Sequence, residues 1–319
     1  MLALASPASL KGVLSPAEAA AALARGLRRV DGVEARELPV ADGGEGTAAV
    51  LHAALGGEWR SASVPDPLGR PVDARWLVLD DGTAIVDAAA ALGLPLVAED
   101  ERDPLRETSD GLGELILCAL SQDATSLVVG IGGTATVDGG DGMRRVLGGR
   151  LRDVTVRAAC DVRNPLLGER GAARAFGPQK GADEGAVEEL ERRLAAMDAL
   201  AAFRDVRGAG AGGGLGAAFA SLGAELVEGA ELVLDRIGFD DAARDAALVI
   251  TGEGKVDATT FEGKGPGAVA AHCRRLGVRC ELFGGLVDSG IDAHELSGDP
   301  GRAEDDLADL AEGLALGRT

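Results

Sequence analysis

The 319-residue chain predicts an α/β protein built on parallel sheet, on three grounds. An apolar strand, a glycine-and-acid loop and a helix recur in that order at least four times, which is the sequence form of parallel α/β units. Hydrophobic residues make up 46% of the chain and its 48 glycines follow no collagen-like period, as expected where many strands turn into helices. The length suffices for two domains with substantial cores.

Residues 2–5 read as the first strand. Loop 6–12 then leads to a helix from near Ser15 to about Arg29. Ser15, Pro16 and Glu18 form its start signal: a capping hydroxyl, proline at the first helical position and a carboxylate at the third. Lys11 lies just ahead of that helix N-terminus, where anions bind well. Residues 35–40 read as the next strand. After it, Ala41-Asp42-Gly43-Gly44-Glu45-Gly46-Thr47 makes a tight turn into a helix over about 48–55. From Arg60 to Val86 the pattern changes to short alternating strands broken at residues 65–71 and 80–82, the switch expected at a second domain. A helix over 111–120 and a strand over 126–130 follow. The exit from that strand, residues 131–142, is glycine-rich and precedes a helix near Met143. Strand 154–159 opens into Cys160-Asp161-Val162-Arg163-Asn164-Pro165. Loop 176–181 then precedes a charged helix from Glu184 to about Leu200, and the glycine cluster 208–216 precedes another. Residues 247–250 read as a buried strand, 251–257 as its loop, 263–266 as a helix start, and the chain after about Ser297 as an acidic terminal helix. Ligands on such sheets bind where these loops emerge, at the carboxyl ends of the strands.

Charge and composition exclude several classes. A net charge of −20 with no long Lys/Arg run argues against nucleic acid and anionic membrane surfaces and leaves small molecules or protein partners, with a homodimer open. No apolar run reaches 18 residues, the N-terminus lacks a basic region before an apolar one, and four cysteines show no CxxC pair. The expectation is therefore a cytoplasmic protein with reduced thiols. The three histidines lack zinc-site spacing.

Only four of the 32 basic residues are lysines, Lys11, Lys180, Lys255 and Lys264, and each stands in or beside a glycine-rich loop. Sparing lysine for such loops points to a compact ammonium used on phosphate. Residues 130–135 formally match a dinucleotide fingerprint with Asp153 as its distant acid, but the turn at 138–142 interrupts the helix that motif needs, and no Walker loop exists. What remains is a backbone nest with the Thr134 and Thr136 hydroxyls, suited to phosphate oxygens. Phosphoryl transfer needs cations, oxygen-held metal and a group that orients or deprotonates the acceptor. The loops offer the lysines together with Asp42, Glu45, Asp138, Asp161, Glu253 and Asp257. Each isolated acid reads equally well as a turn or capping residue, so the inference rests on their convergence.

Over residues 9–285 these motifs resemble the bacterial glycerate kinases of the type unrelated to the sugar-kinase and ribokinase folds. The likeness lies in Ser9-Leu10-Lys11-Gly12, residues 41–47, Asp66-Pro67-Leu68-Gly69-Arg70, Gly113-Glu114-Leu115-Ile116, 130–142, 160–166, 176–182, 208–216 and 251–257. The resemblance implies ATP- and Mg²⁺-dependent phosphorylation of D-glycerate. It also implies a parallel Rossmann-like domain with a second α/β domain inserted and a cleft between them, expected here as 1–60 plus 240–319 and 61–239. The expected catalytic group is Lys11, Asp42 and Asp161. Substrate contacts are expected from Ser9, Glu45, Arg70, Asn164 and Lys180, of which Arg70 is assigned because its planar fork suits a carboxylate. Gly132, Gly133, Thr134, Gly252, Glu253 and Lys264 are expected to hold nucleotide, and Asp138 and Asp257 the metal. The chain departs from the family pattern at Ala8, where an acid is expected, at Leu10, Leu112, Val137 and 282–285, and by a shortening near residues 148–152. Ala8 favours an alternative, a catalytically weakened paralogue that binds nucleotide or metabolite as a sensor or partner subunit.

Overall fold

The computed structural model describes residues 1–121, 124–151 and 154–318; Asp153 and Arg152, named above, lie outside the described residues. Two compact units form: residues 1–42, 49–55 and 229–319 make the first, and 43–48 with 56–228 the second. These limits depart from the expected ones at three places, the first being residues 56–60, which belong to the second unit. The turn at 43–48 belongs to the second unit because Gly46 and Ala48 donate their backbone N–H groups to Asp87 at 3.0 and 3.2 Å. Residues 229–239, with the helix Gly229–Arg236, belong to the first.

The strands, in chain order, are β1 (Leu2–Ala5), β2 (Glu34–Glu37), β3 (Glu58–Pro65), β4 (Pro71–Val78), β5 (Thr83–Asp87), β6 (Ser126–Gly130), β7 (Thr155–Cys160), β8 (Glu225–Glu228), β9 (Leu248–Val256), β10 (Cys280–Val287) and β11 (His294–Glu295). The first unit holds a parallel sheet ordered β11-β10-β9-β1-β2. Its central strands are apolar along most of their length because parallel sheets are covered on both faces. Helices Pro16–Leu27 and Ala303–Ala315 supply Leu23, Leu27, Leu307 and Leu314 to one core. They approach so closely that a Cβ on Gly26 would lie 1.9 Å from the Ala308 carbonyl oxygen. The capping box forms as expected: Ser15 N–H donates to Glu18 Oε2 at 2.8 Å, and Glu18 N–H to Ser15 Oγ at 3.3 Å.

The second unit holds the sheet β3-β4-β5-β6-β7-β8, antiparallel from β3 to β5 and parallel from β5 to β8. Trp76, Leu112, Leu194 and Phe219 are among the side chains that fill its core. Two elements differ from expectation. The loop expected at 251–257 is largely a continuation of β9, because β10 pairs with it as far as Val287↔Val256. The charged helix stops at Ala195 and is followed by a 3₁₀ turn, Asp198–Phe203. In both sheets the loops after β1, β5, β6 and β7 emerge at carboxyl ends.

Candidate functional site

In the first unit, Ser9, Lys11, Asp42, Glu253, Lys255, Asp257 and Lys264 line one cavity of about 630 Å³. Three of the chain's four lysines therefore face one space. The loop carrying Ser9 and Lys11 is laid along β9 by backbone bonds, Ser6 N–H to Ile250 O at 2.8 Å and Ala8 N–H to Gly252 O at 2.9 Å. Ala8 thus contributes a backbone bond that any residue but proline would make. Lys264 immediately precedes the twelve-residue helix Gly265–Leu276, whose first N–H groups lack intrahelical acceptors. Its ammonium lies 3.6 Å from Glu253 Oε2, while Thr260 Oγ1 donates to Glu253 Oε1 at 2.7 Å. Burial holds the Glu253 carboxyl above its ordinary range and the like charge of Asp42 adds to the effect, so added positive charge is favoured there. Asp257 is differently employed. Its Oδ1 accepts Thr259 N–H at 2.8 Å and Thr259 Oγ1 at 2.5 Å, its Oδ2 lies 3.4 Å from Lys255 Nζ, and the Thr259 hydroxyl leads in lowering it to about 2. Gly252 serves packing, since a Cβ there would lie 2.2 Å from the Phe283 carbonyl oxygen.

In the second unit, residues 131–136 after β6 form a pinned loop. Leu94 N–H donates to Gly133 O at 3.0 Å and Ala135 N–H to Leu92 O at 2.8 Å. Gly132 admits no side chain, because its Cβ would meet Gly44 Cα at 2.8 Å, and Gly133 turns at φ +76°. The Glu45 carboxylate reaches to 3.7 Å of where a Cβ on Gly133 would stand, so Glu45, Gly132, Gly133 and Thr134 are brought together. Lys180 lies behind them, only 3% exposed, its ammonium donating to Thr136 O at 2.8 Å and Thr134 Oγ1 at 3.3 Å. It braces this loop from within.

The remaining expected residues of the second unit have other partners or line other space within it. Asp138 accepts from Ser109 N–H and Oγ at 2.9 and 2.6 Å, and from Gly140 and Gly142 N–H at 3.0 and 3.2 Å, so it organises the turn into the helix Asp141–Val146. Arg70 is spent on Asp66 Oδ2 at 2.7 Å, Glu101 Oε2 at 2.9 Å and the Leu96 carbonyl at 2.9 Å. Asp161 borders a separate cavity of about 640 Å³ with Cys160, Arg163, Arg207 and Glu228, and Asn164 donates to Arg170 O at 2.7 Å. Asp87 and Glu107 were not singled out from the sequence. A carboxylate ending a buried strand, as Asp87 ends β5, was the available signal for the first; Glu107 sits in a polar stretch that offers none.

Divalent metal needs only one or two carboxylates when phosphate oxygens and water complete the octahedron. Asp42 and Glu253, which line the same cavity, meet that requirement in number, Glu253 while also accepting the Thr260 hydroxyl; the oxygens of Asp138 and Asp257 accept from their own turns. Among the described residues no cluster of three or more His, Cys, Asp or Glu forms an all-protein metal cage, and no helix is long and apolar enough to cross a membrane.

Comparison with known proteins extends these observations. The model of the glycerate kinase family matches residues 3–154 and 149–299, its two pieces meeting at the stretch read as shortened. The chain is 43% identical to the glycerate 2-kinase of Escherichia coli (strain K12), covering 90% of this chain and 88% of that protein. It is 42% identical to the glycerate kinase of Bacillus subtilis (strain 168), covering 86% and 82%. A crystal structure of a putative glycerate kinase 2 from Salmonella typhimurium LT2 superposes with a TM-score of 0.84 at 35% identity, covering 99% of this chain and 98% of that one.

Proposed function

Because the chain belongs to the glycerate kinase family, we infer that it transfers the γ-phosphoryl group of ATP to a hydroxyl of glycerate, releasing ADP. The supporting observation is the cavity of the first unit, where Lys11, Lys255 and Lys264 converge with Asp42 and Glu253. Such transfer passes through a loose transition state whose charge spreads over the equatorial phosphate oxygens, so fixed cations do most of the work. Lys11, exposed and lining this cavity, is assigned to the moving phosphate. Lys264, with the helix start behind it, is assigned to nucleotide phosphate. Asp42 and Glu253 would hold Mg²⁺, which when bound neutralises charge on the phosphate oxygens. Asp42 also carries the acceptor-orienting role. In the second unit, Gly132, Gly133 and Thr134 present backbone and hydroxyl groups suited to phosphate oxygens, and Glu45 lies beside them. The relative in Escherichia coli is a glycerate 2-kinase, and we assign the 2-hydroxyl as acceptor here.

The deciding assay follows ADP release with D-glycerate, ATP and Mg²⁺, and identifies the product by phosphorus–proton coupling in NMR. Lys11→Ala should lower kcat/KM by on the order of 10²-fold, as loss of one transition-state donor does, with Tm unchanged because Lys11 packs in no core. Turnover of wild type that Lys11→Ala leaves intact would remove Lys11 from the chemistry. A 3-phosphate product would overturn the regiochemistry alone. The sensor alternative predicts saturable nucleotide binding with no turnover.

A further inference from the structure

We propose that Leu286 and Val13 seat the nucleoside base of the phosphate donor and hold it without reading its hydrogen-bonding edge, so that purine and pyrimidine triphosphates serve alike. The proposal rests on the kinase reading of the first-unit cavity and assigns the part of that cavity which its cations leave unexplained. Among the described residues Leu286 is the most exposed large apolar side chain, at 58%, and Val13 is 39% exposed. A single exposed leucine is ordinary. Here both side chains line the cavity that Lys11, Lys255 and Lys264 also line.

Strand pairing fixes how close the two kinds of surface lie. β9 and β10 are parallel and pair Leu286 with Lys255 and Gly284 with Glu253. Register partners on neighbouring strands project to one face about 4.8 Å apart. Leu286 therefore stands beside Lys255, two residues along from the position paired with Glu253, which the Lys264 ammonium approaches to 3.6 Å. On the other side of β9, a Cβ on Gly254 would lie 3.4 Å from Lys11 N, so the loop carrying Lys11 lies against the strand. The turn that follows sets Val13, with Val13 N–H and Leu14 N–H both donating to Leu10 O at 2.8 and 2.9 Å. A nucleoside triphosphate has the same division, a polyanion at one end and a flat ring with apolar faces at the other. The cavity volume of about 630 Å³ lies within the roughly 300–1,000 Å³ of small-molecule sites. Glycerate, with a polar group on each of its three carbons, has no such ring to set against Leu286 and Val13.

What the lining lacks decides the selectivity. The side chains that read a base edge donate and accept at adjacent atoms, as Asn and Gln do. Among the described residues that line this cavity there is no Asn, Gln or aromatic residue. Its two carboxylates nearest Pro300 in the chain are engaged locally: Asp299 Oδ1 accepts Gly301 N–H at 2.9 Å, and Asp306 Oδ2 accepts Ser297 N–H at 3.1 Å. Apolar contact with a ring face is open to every base, since each has one.

The test compares wild type with Leu286→Asn, which removes apolar surface without placing a charge beside Lys255. KM for ATP should rise about tenfold while kcat changes by less than about twofold, because the base is held equally in the ground and transition states. The Kd of ADP, titrated calorimetrically with Mg²⁺, should rise by a similar factor. Inorganic tripolyphosphate, which carries phosphates and no base, should compete with ADP with a Kd that moves less than about twofold. Val13→Asn should weaken ADP in the same way. Wild-type kcat/KM values for ATP, GTP and CTP should lie within about 10²-fold of one another, the discrimination that apolar contact supplies.

Unchanged ADP affinity in both folded variants overturns the seat. An equal loss of ADP and tripolyphosphate overturns it too, since the side chains would then act on the phosphates. A preference among the three triphosphates beyond about 10²-fold overturns the tolerance of bases. Absence of turnover by wild type that still binds ADP overturns the kinase reading and leaves the two titrations to decide the seat; wild type that binds no ADP overturns both. Should Leu286→Asn fail to fold, Leu286→Ala takes its place with the same expected direction.

Discussion

Asp87 ties the Gly46–Ala48 turn to the end of β5, and its protonation gives the second unit a pH signature. Burial pushes this carboxyl up to about 7 against the pull of the two backbone N–H donors. The folded value lies above the unfolded one, so between about pH 4 and 7 the native state holds a proton the unfolded chain has released. Stability must then fall as pH rises through that window and level off above it, by up to about 1.4 kcal/mol per pH unit for each such proton. Glu107, pushed up to about 7 by burial, acts in the same direction over the same range. Asp257, lowered to about 2, acts oppositely, but below about pH 4. Thermal melts of wild type and Asp87→Asn from pH 5 to 7.5 test this: the variant should show a shallower decline, and equal slopes would refute it. The sequence exposed residues of this kind only in part. Lys11, Asp42 and Glu253, which line one cavity, stand out in the sequence because phosphate chemistry calls for their types beside glycine-rich turns. The employment of Arg70 by Asp66 and Glu101, and of Asp138 by Ser109, depends on partners up to 31 residues away, which no local motif encodes.

At the scale of elements, the strand–loop–helix repeat and the Ser15 capping box were readable because their determinants lie within a few residues of one another. The extension of β9 through Val256 was not, since it follows from pairing with β10. The strip 251–257, rich in glycine and charge, mimics a loop until that partner is present. The cluster at 208–216 shows how much backbone geometry a glycine run can encode. Gly212, Gly213 and Gly214 all take positive φ, and a Cβ on Gly213 would lie 2.0 Å from Thr136 O, an atom that Lys180 also binds. Gly213→Ala should therefore cost several kcal/mol, by combining a left-handed backbone with a backbone clash, and should lower Tm by many degrees. Gly185, in the first turn of the helix Glu184–Ala195, has only Asp183 Oδ1 near its missing Cβ, at 3.5 Å. Gly185→Ala should stabilise by a few tenths to about 1 kcal/mol. Calorimetry giving both variants the same Tm would contradict this account of the cluster.

At the scale of the whole molecule, a net charge of −20 meets substrates that are themselves anions. The long-range field repels ATP and glycerate, while the lysines of the first unit, in the role proposed for them, would attract these anions only at contact range. Raising ionic strength from about 0.01 to 0.15 M shortens the screening length from about 30 to about 8 Å, which removes the first effect and largely spares the second. Catalytic efficiency should consequently rise several-fold with added inert salt over that range; a steady fall would mean that the local cations dominate at distance too. The concentration of lysine in one cavity also bears on handling the protein. Amine-coupling reagents will find few targets, the N-terminus and a handful of ammonium groups, most of them at the cavity. Random attachment to a sensor surface would thus be attachment through the pocket itself, which under the proposed function would blind it to nucleotide, whereas brief acylation with and without substrate would read out occupancy as a footprint.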